Sequence, residues 1–439
     1  MKKKYTMHIL ASVLVLALLS GCGGGAGNAA TVADNDTQHT ADSDSSEQLT
    51  SGDETTIVVA LMSNDWLDAA AEIAAAFTEA YGVTVDYIPM PGEVEEFLQP
   101  RAAGGTLPDV MSINAGPFGA LLADNDMLID LSDTDAARNM LDSLKPVFTS
   151  PTGRLFGIAG GLSTTLIYYN KEMFAEAGIT EHPTSWEEFI ELNHTLQDHG
   201  MVPLVLAMGD GAIANTAWST GNAVEIAANN PDYITQVATG AFNFDTPEQA
   251  RIFERISILM DYGFLAPGSV SNMHPVLPEI FFQEQAAMCF QGIWMAGVFV
   301  EDSPFDVGMM IPPWNMEGQT QGVVLGTETG FGAAAGPNEQ AAIDFINFVN
   351  AGEGFYIYQQ ARGSIPSLID FDSSRIRMSD VVQEYVDRVL QVEVTGAYWF
   401  EFLPPDVSAN LPTLFQQVAT GEITSEEAAG IMQDLYLEN

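Results

Sequence analysis

The sequence predicts an α/β fold in two domains. Short apolar runs alternate with segments of helical periodicity, an order that is typical of α/β proteins. The part of the chain that can fold runs from Glu54 to Asn439, about 386 residues, which is long enough for two hydrophobic cores. This part of the chain contains no apolar run of the ~20 residues that are needed to span a bilayer.

The first part of the folding segment predicts three strands and two helices. Runs rich in branched apolar residues predict strands at 55–61, 83–88 and 109–113, while helical periodicity predicts helices at 66–81 and 93–103. Strands that alternate with helices in this way bind ligands at their carboxyl ends. The loops after Leu61 and Ile113 are therefore candidate binding loops.

The rest of the chain predicts a second set of elements. The paired glycines Gly160 and Gly161 lie between two strand-like runs and predict a crossing between the domains. Further strands are predicted at 166–169, 286–292 and 330–335, and helices at 247–262 and 338–350. The last segment, 379–439, predicts helices joined by a loop around Pro404.

The N-terminus has the three parts of an export signal: lysines at 2–4, an apolar run at 9–19, and small residues before Cys22. The segment Leu19-Ser20-Gly21-Cys22 resembles the bacterial lipobox, which implies that 1–21 is a signal peptide and that Cys22 is acylated. The alternative is an ordinary secretory peptide cut near Ala29-Ala30. Residues 22–53 are polar and predict a flexible acidic tether. We expect a protein anchored by lipid on the outer face of the cell membrane.

The charge balance excludes one class of partner. The chain has 14 basic and 59 acidic residues, a formal net charge of -45, and loss of the three signal lysines makes it -48. Such a surface repels phosphate backbones, so we expect no nucleic-acid binding. Besides Cys22 the sequence holds one cysteine, Cys289, so the mature fold is expected to contain no disulfide.

Four sequence blocks together point to a family. They are 166–174 with 178–179 and 183–189, 104–110, 287–294, and 363–366. In their order along the chain, behind a lipobox, these blocks resemble the family 1 extracellular solute-binding proteins of ABC importers, which include maltose-binding protein. The resemblance implies a type II periplasmic-binding-protein-like fold of two lobes, each a mixed sheet flanked by helices, with a ligand cleft between them. The implied lobes are 54–160 with 332–368, and 161–331 with 369–439.

The resemblance also implies a function. A monomer without a cofactor would capture a small ligand, a sugar or oligosaccharide, and deliver it to the permease subunits of an ABC transporter. Sugars present hydroxyls and apolar faces, so their sites combine aromatic platforms with Asp, Asn or Glu side chains. From residue type and family position, the predicted ligand-binding residues are Asn64, Asp65, Trp66, Asn114, Ser163, Asp210, Trp218, Trp294, Trp399 and Glu401.

Several of these residues have a structural alternative. Asp65 is also suited to cap the helix that follows it. Trp294 matches the stacking tryptophan of the family's second lobe, whereas Trp399 is equally compatible with core packing. Ser163 could satisfy backbone groups at the crossing, and Trp186 is expected to pack within the protein.

The chain departs from the maltose-binding pattern in ways that argue against maltodextrin. It has Ile113 and Gly116 where that protein has an aromatic platform and an aspartate, and Ser408 lies near the position of another tryptophan. The stretch containing Trp399 and Glu401 is expected to supply a replacement platform. We therefore expect another sugar as the ligand.

Three other functions compete with sugar import. Motifs of serine hydrolases, phosphate-binding loops and zinc proteases do not occur, Cys289 lies in an apolar strand, and the histidine spacing does not indicate a metal site. A glycoside-active enzyme is thus disfavoured. A surface sensor partner, or a receptor for polyamines, peptides or glycerophosphodiesters, stays open, since the acidic surface would suit a polyamine.

Overall fold

The computed structural model of the protein describes residues 55–62, 67–91, 94–362 and 365–438. The predicted signal peptide, the predicted tether and Cys22 lie outside the described residues. Within the described ranges, no helix is both long and apolar enough to cross a membrane.

The α/β class predicted from the sequence is confirmed, since two mixed four-stranded sheets are flanked by helices. In the described ranges the strands are β1 (Thr56–Met62), β2 (Thr84–Met90), β3 (Val110–Ile113), β4 (Leu162–Ser163), β5 (Thr165–Asn170), β6 (Leu204–Val205), β7 (Met288–Gly292), β8 (Val307–Met310), β9 (Gly322–Val324), β10 (Gly326–Thr327), β11 (Gly330–Ala333) and β12 (Val394–Gly396).

The α-helices of the same ranges are α1 (Leu67–Tyr81), α2 (Val94–Gly104), α3 (Pro117–Asp124), α4 (Asp135–Asn139), α5 (Lys171–Glu176), α6 (Trp186–Asp198), α7 (Gly211–Asn222), α8 (Tyr233–Ala238), α9 (Pro247–Asp261), α10 (Leu277–Phe282), α11 (Ala296–Glu301), α12 (Glu339–Ala351), α13 (Glu353–Arg362), α14 (Asp380–Val389), α15 (Pro405–Ala419) and α16 (Ser425–Leu437). Several begin at side chains suited to helix N-termini. Ser185 caps α6 and Thr246 caps α9, where Pro247 occupies the first turn.

The first sheet has the strand order β11-β3-β1-β2, and the second has the order β6-β7-β5-β8. In the first sheet β1 is parallel to β2 and β3, while β11 is antiparallel to β3. In the second sheet β6 is parallel to β7, and β5 is antiparallel to β7 and β8. The segment 379–439 contains β12 besides the expected helices, and β12 pairs in parallel with β9.

Each sheet has its own hydrophobic core. The first core takes its buried side chains from residues 57–159 and 331–358, and the second from residues 166–323 and 365–436. These ranges differ from the predicted lobes at two points. Phe331 belongs to the first core because β11 joins the first sheet, and Ile365 belongs to the second core.

Among the described residues, three segments pass from one core to the other, and they lie side by side. β4 pairs antiparallel with β10, and the Leu162 N–H donates to the carbonyl of Ile365 at 2.7 Å. Gly160 precedes the first crossing, where a Cβ atom would lie 2.6 Å from the carbonyl oxygen of Thr329. Only glycine permits this close approach of backbone segments.

Candidate functional site

Both sheets present carboxyl strand ends to the crossing segments. In the first sheet, Gly330 at the start of β11 pairs with Ile113 at the end of β3. In the second sheet, Thr165 at the start of β5 pairs with Gly292 at the end of β7. Because β4 precedes β5 and β10 precedes β11, the crossing segments reach both sheets at these edges. Loops at the carboxyl edges of α/β sheets are the usual place for a ligand.

The two edges meet at the loop after β3. Gly116 in this loop has φ of 113°, and a Cβ atom there would lie 2.9 Å from the carbonyl oxygen of Glu401. Glu401 lies in a segment that packs into the second core. Elsewhere, Cα atoms of α11 and α13 lie within 8 Å of each other. Residues of both cores therefore border the same site.

The edge of the first sheet contributes a polar group formed by Glu95, Asn114 and Thr329. The Asn114 Nδ2 donates to the two carboxylate oxygens of Glu95 at 3.3 and 3.4 Å. The hydroxyl of Thr329 donates to Asn114 Oδ1 at 3.1 Å. All three residues are partly exposed, so their remaining acceptor positions can accept hydrogen bonds from ligand hydroxyls.

The edge of the second sheet contributes aromatic side chains. Trp294 is partly exposed, and its ring covers Gly292, where a Cβ atom would lie 2.0 Å from the indole. Trp294 and Phe400 both pack against the small buried cluster that contains Tyr398. Tyr398 and Phe400 are stacked with ring centroids 5.1 Å apart. Partly exposed aromatic rings of this kind can stack on an apolar ligand face.

Ser163 and Glu401 lie at the crossing segments, where both are buried. The Ser163 hydroxyl lies 3.3 Å from the hydroxyl of Tyr398. One carboxyl oxygen of Glu401 accepts hydrogen bonds from the amide and the hydroxyl of Thr327 at 2.8 and 2.9 Å. Burial raises the pKa of Glu401 to about 7, although these two bonds oppose the shift. Both residues fix the segment that bears Phe400.

Asp210 uses both carboxylate oxygens for contacts within the protein. One accepts from the amides of Ala212 and Ile213 and caps α7, and the other accepts from the amide of His274 and lies 2.8 Å from its Nδ1. Burial raises the pKa of Asp210, but the hydrogen bonds from His274 and from the start of α7 outweigh it and lower the pKa below its ordinary value. Asp210 thus orients His274 at the carboxyl edge of β6.

Two predicted platforms lie inside the second core. Trp218 and Trp399 are both 0% exposed, and their ring centroids are 5.0 Å apart in an edge-to-face arrangement. The core-packing alternative therefore describes Trp399. Trp218, which we expected to line the site, is buried in the same core. Their side chains reach no surface in this structure, because each ring is enclosed by neighbouring aromatic residues. Trp186 is also buried, as expected.

Three predicted residues, Asn64, Asp65 and Trp66, lie outside the described residues, as does the lipid-anchor candidate Cys22. Cys289 is described and lies buried in β7. Burial raises the pKa of its thiol well above the ordinary value, which disfavours the nucleophilic thiolate.

Sequence reasoning missed three residues of this site: Glu95, Thr329 and Phe400. The sequence points to Trp399, and not to Phe400, as the aromatic platform of this stretch. In the short 3₁₀ helix Trp399–Glu401, Trp399 instead faces Phe402 in the core, with ring centroids 5.3 Å apart. Side chains three residues apart share a face in a 3₁₀ turn, which leaves Phe400 on the outer side.

Comparison with known proteins decides the family. Residues 72–386 match the family described as bacterial extracellular solute-binding proteins. The chain belongs to this family. The membership predicted from the four sequence blocks is thereby confirmed, and the two cores around a shared edge correspond to the family's two-domain fold.

Individual relatives of this family member are distant in sequence. A lactose-binding protein of Rhizobium radiobacter is 24% identical over 379 residues, which cover 78% of this chain and 84% of that protein. A chitin oligosaccharide binding protein has a similar structure, with a TM-score of 0.76 at 20% identity, covering 88% of this chain and 99% of the other. The solute-binding protein RafE in complex with raffinose gives a TM-score of 0.72 at 17% identity, covering 87% and 98%. These structural likenesses concern the fold.

Proposed function

We propose that this solute-binding protein captures an uncharged sugar or short oligosaccharide outside the cell and delivers it to the permease of an ABC transporter. One observation carries the proposal. The aromatic pair Trp294 and Phe400 on the second-sheet edge borders the same site as the polar group Glu95, Asn114 and Thr329 on the first-sheet edge.

This combination suits the chemistry of a sugar. The apolar face of a pyranose ring stacks on an aromatic side chain, while its hydroxyls need carboxylate and amide partners. Among the described residues that we assign to the site, His274 is the sole side chain that can become positively charged, so an anionic ligand would find little compensating charge. Relatives named for lactose, chitin oligosaccharide and raffinose support a carbohydrate.

Binding without turnover fits these residues better than hydrolysis. A glycosidase needs two carboxyl groups that flank the scissile bond. Glu95 is partly exposed, but Glu401 is buried and bonded to Thr327, so its carboxyl group does not reach the exposed part of the site.

The proposal includes a lipid anchor and a permease partner. Acylation at Cys22 and the tether 22–53 would hold a monomer at the outer face of the membrane, close to the transporter. The Cys22→Ala variant should be released from the membrane fraction, or remain unprocessed, with unchanged ligand affinity. Normal processing with retention in the membrane would contradict the anchor.

A thermal-shift screen tests the ligand class directly. Mono- and oligosaccharides including lactose and raffinose, polyamines and peptides would each be added to the mature protein. A ligand present at a hundredfold excess over its Kd stabilises the folded state by about 2.7 kcal/mol, so a true ligand raises the melting temperature visibly. We expect a sugar to do so without being hydrolysed. A shift with a polyamine and with none of the sugars would reject the carbohydrate assignment.

A further inference from the structure

A groove beside the proposed sugar site has walls of a different chemistry. It lies between α10 and α11, and its volume is about 580 Å³. Its apolar side chains are Pro275, Pro278, Phe282, Met295 and Val298, which we call the apolar wall. The volume falls within the range of about 300 to 1,000 Å³ that is usual for small-molecule sites.

The polar side chains along the groove already have partners within the protein. His274 is held by Asp210 through its amide and its Nδ1. The Gln283 side chain donates to Glu279 at 3.1 Å and accepts from Gln285 at 2.6 Å. A polar ligand group would have to compete with these bonds. An apolar group would only displace water from the apolar wall, which is favourable.

The groove begins one residue along the chain from Trp294, and α11, which lines it, approaches α13 of the first core. Met295 of the apolar wall directly follows Trp294, and consecutive Cα atoms are about 3.8 Å apart. At its other end the groove reaches His274, which Asp210 ties to the carboxyl edge of β6. The groove and the Trp294 platform therefore belong to the same turn of chain, Ile293–Met295, and its continuation into α11.

We propose that the groove receives an apolar aryl or alkyl group carried by the captured sugar, so that the preferred ligands are glycosides with an apolar aglycone. This inference rests on the proposed function, because the sugar must first be held at Trp294. In this proposal the apolar wall determines which aglycone is preferred, and the residues of the proposed sugar site hold the sugar ring.

The test compares matched ligands and matched variants. Methyl and phenyl glycosides of galactose, glucose and xylose would be titrated calorimetrically into the wild-type protein and two variants. Val298→Asp places a charge in the groove. Val300→Asp is the control, since Val300 lies on the same helix, is also partly buried, and packs against the second core outside the groove. Val298→Phe, which fills the groove without a charge, guards against misfolding of the first variant.

For at least one sugar, the phenyl glycoside should bind about tenfold more tightly than the methyl glycoside, as expected for burial of a phenyl ring. Val298→Asp and Val298→Phe should abolish this difference and leave the methyl glycoside unaffected, while Val300→Asp should retain it. Equal affinities in the wild type, or a difference that survives both Val298 variants, would overturn the inference.

A second measurement keeps the two proposals distinguishable. Saturation-transfer NMR with benzyl alcohol probes the groove without any sugar. We expect a signal with the wild type and Val300→Asp and none with Val298→Asp. If no glycoside binds but this pattern holds, the sugar function fails and the apolar groove stands. If no variant changes the benzyl alcohol signal, or the wild type gives none, the groove assignment fails whatever the sugars do.

Discussion

Exposure separates the tryptophans that can touch a ligand from those that cannot. Trp294 is partly exposed and lies over Gly292 at the end of β7, whereas Trp218 is enclosed between Trp399 and Phe244 in the second core. Trp294 lies in the 3₁₀ helix directly after β7, and Trp218 lies in the middle of α7. The same substitution in each should therefore have opposite consequences.

Trp294→Ala should weaken sugar binding by roughly 1 to 3 kcal/mol and leave the fold intact, because it removes a stacking surface and creates no enclosed cavity. Trp218→Ala is the matched control and should cost about 3 to 5 kcal/mol of stability. Calorimetric titration and urea unfolding of both variants measure the two effects. Unchanged affinity in folded Trp294→Ala would remove this residue from the site.

Glu401 should make stability depend on pH between its unfolded and folded pKa. The pKa is raised from 4.5 to about 7 by burial, so the folded state favours the protonated carboxyl. The stability that Glu401 adds to the folded state is fully present below pH 4.5 and is lost as the pH rises to about 7. The loss in the free energy of unfolding is on the order of 3 kcal/mol. The nearby groups Tyr398 and Tyr233 have raised pKa values and remain neutral over this range.

Glu401→Gln should remove this pH dependence, since the amide oxygen can still accept both hydrogen bonds from Thr327. Urea unfolding at intervals from pH 4.5 to pH 8 measures it. Glu353→Gln serves as the control, because Glu353 pairs with Arg375 at the surface and should change the pH profile little. Parallel profiles for the wild type and Glu401→Gln would show that folding does not raise the pKa of this carboxyl.

At the scale of helices and strands, strong periodicity made the first domain predictable. The predicted strands at 55–61 and 83–88 correspond to β1 and β2, and the described part of the predicted helix at 66–81 is α1, which ends at Tyr81 as expected. Elements held by distant contacts were not predictable. β12 has three residues and exists because it pairs with β9, some seventy positions earlier in the chain.

The candidate site was predictable in position but only partly in composition. Strand order predicts the loop after β3 as a binding loop, and family position predicts Trp294. The structure places Asn114 directly after β3 and Trp294 shortly after β7. Thr329 lies at the site because the crossing segment between β10 and β11 brings it there, and no local sequence pattern predicts this position. Distinguishing Phe400 from Trp399 required the direction of a single 3₁₀ turn.

Asp210 at the start of α7 allows a test of whether its contacts with the helix and with His274 stabilise the fold. Asp210→Ala removes the cap of α7 and also removes the carboxylate oxygen that accepts from the amide and ring of His274. Loss of a cap alone costs roughly 0.5 to 2 kcal/mol. Thr246→Ala at the start of α9 removes a cap with one bond and is the control. In urea unfolding, Asp210→Ala should be the more destabilised variant, and equal losses would show that the His274 contacts contribute nothing.

For the whole chain, the imbalance of charge sets the response to salt. The chain carries 59 acidic and 14 basic residues, so most carboxylates have no cation to pair with. Exposed pairs such as Arg138 with Asp135 contribute little. Arg255 and Glu225 form a buried pair that salt screens only weakly. Repulsion among acidic side chains is therefore the main electrostatic effect that dissolved ions can change.

Stability should consequently rise with ionic strength, opposite to a protein held together by surface ion pairs. Between 0.01 and 0.1 M salt the screening length falls from about 30 to about 10 Å, so most of the repulsion across the surface is removed in this interval. The melting temperature should increase there and then level off. Sodium chloride and tetramethylammonium chloride should act alike, because screening depends on charge and not on the identity of the cation. An increase with sodium alone would indicate specific cation binding to the carboxylates, and a constant or falling melting temperature would show that self-repulsion does not limit this fold.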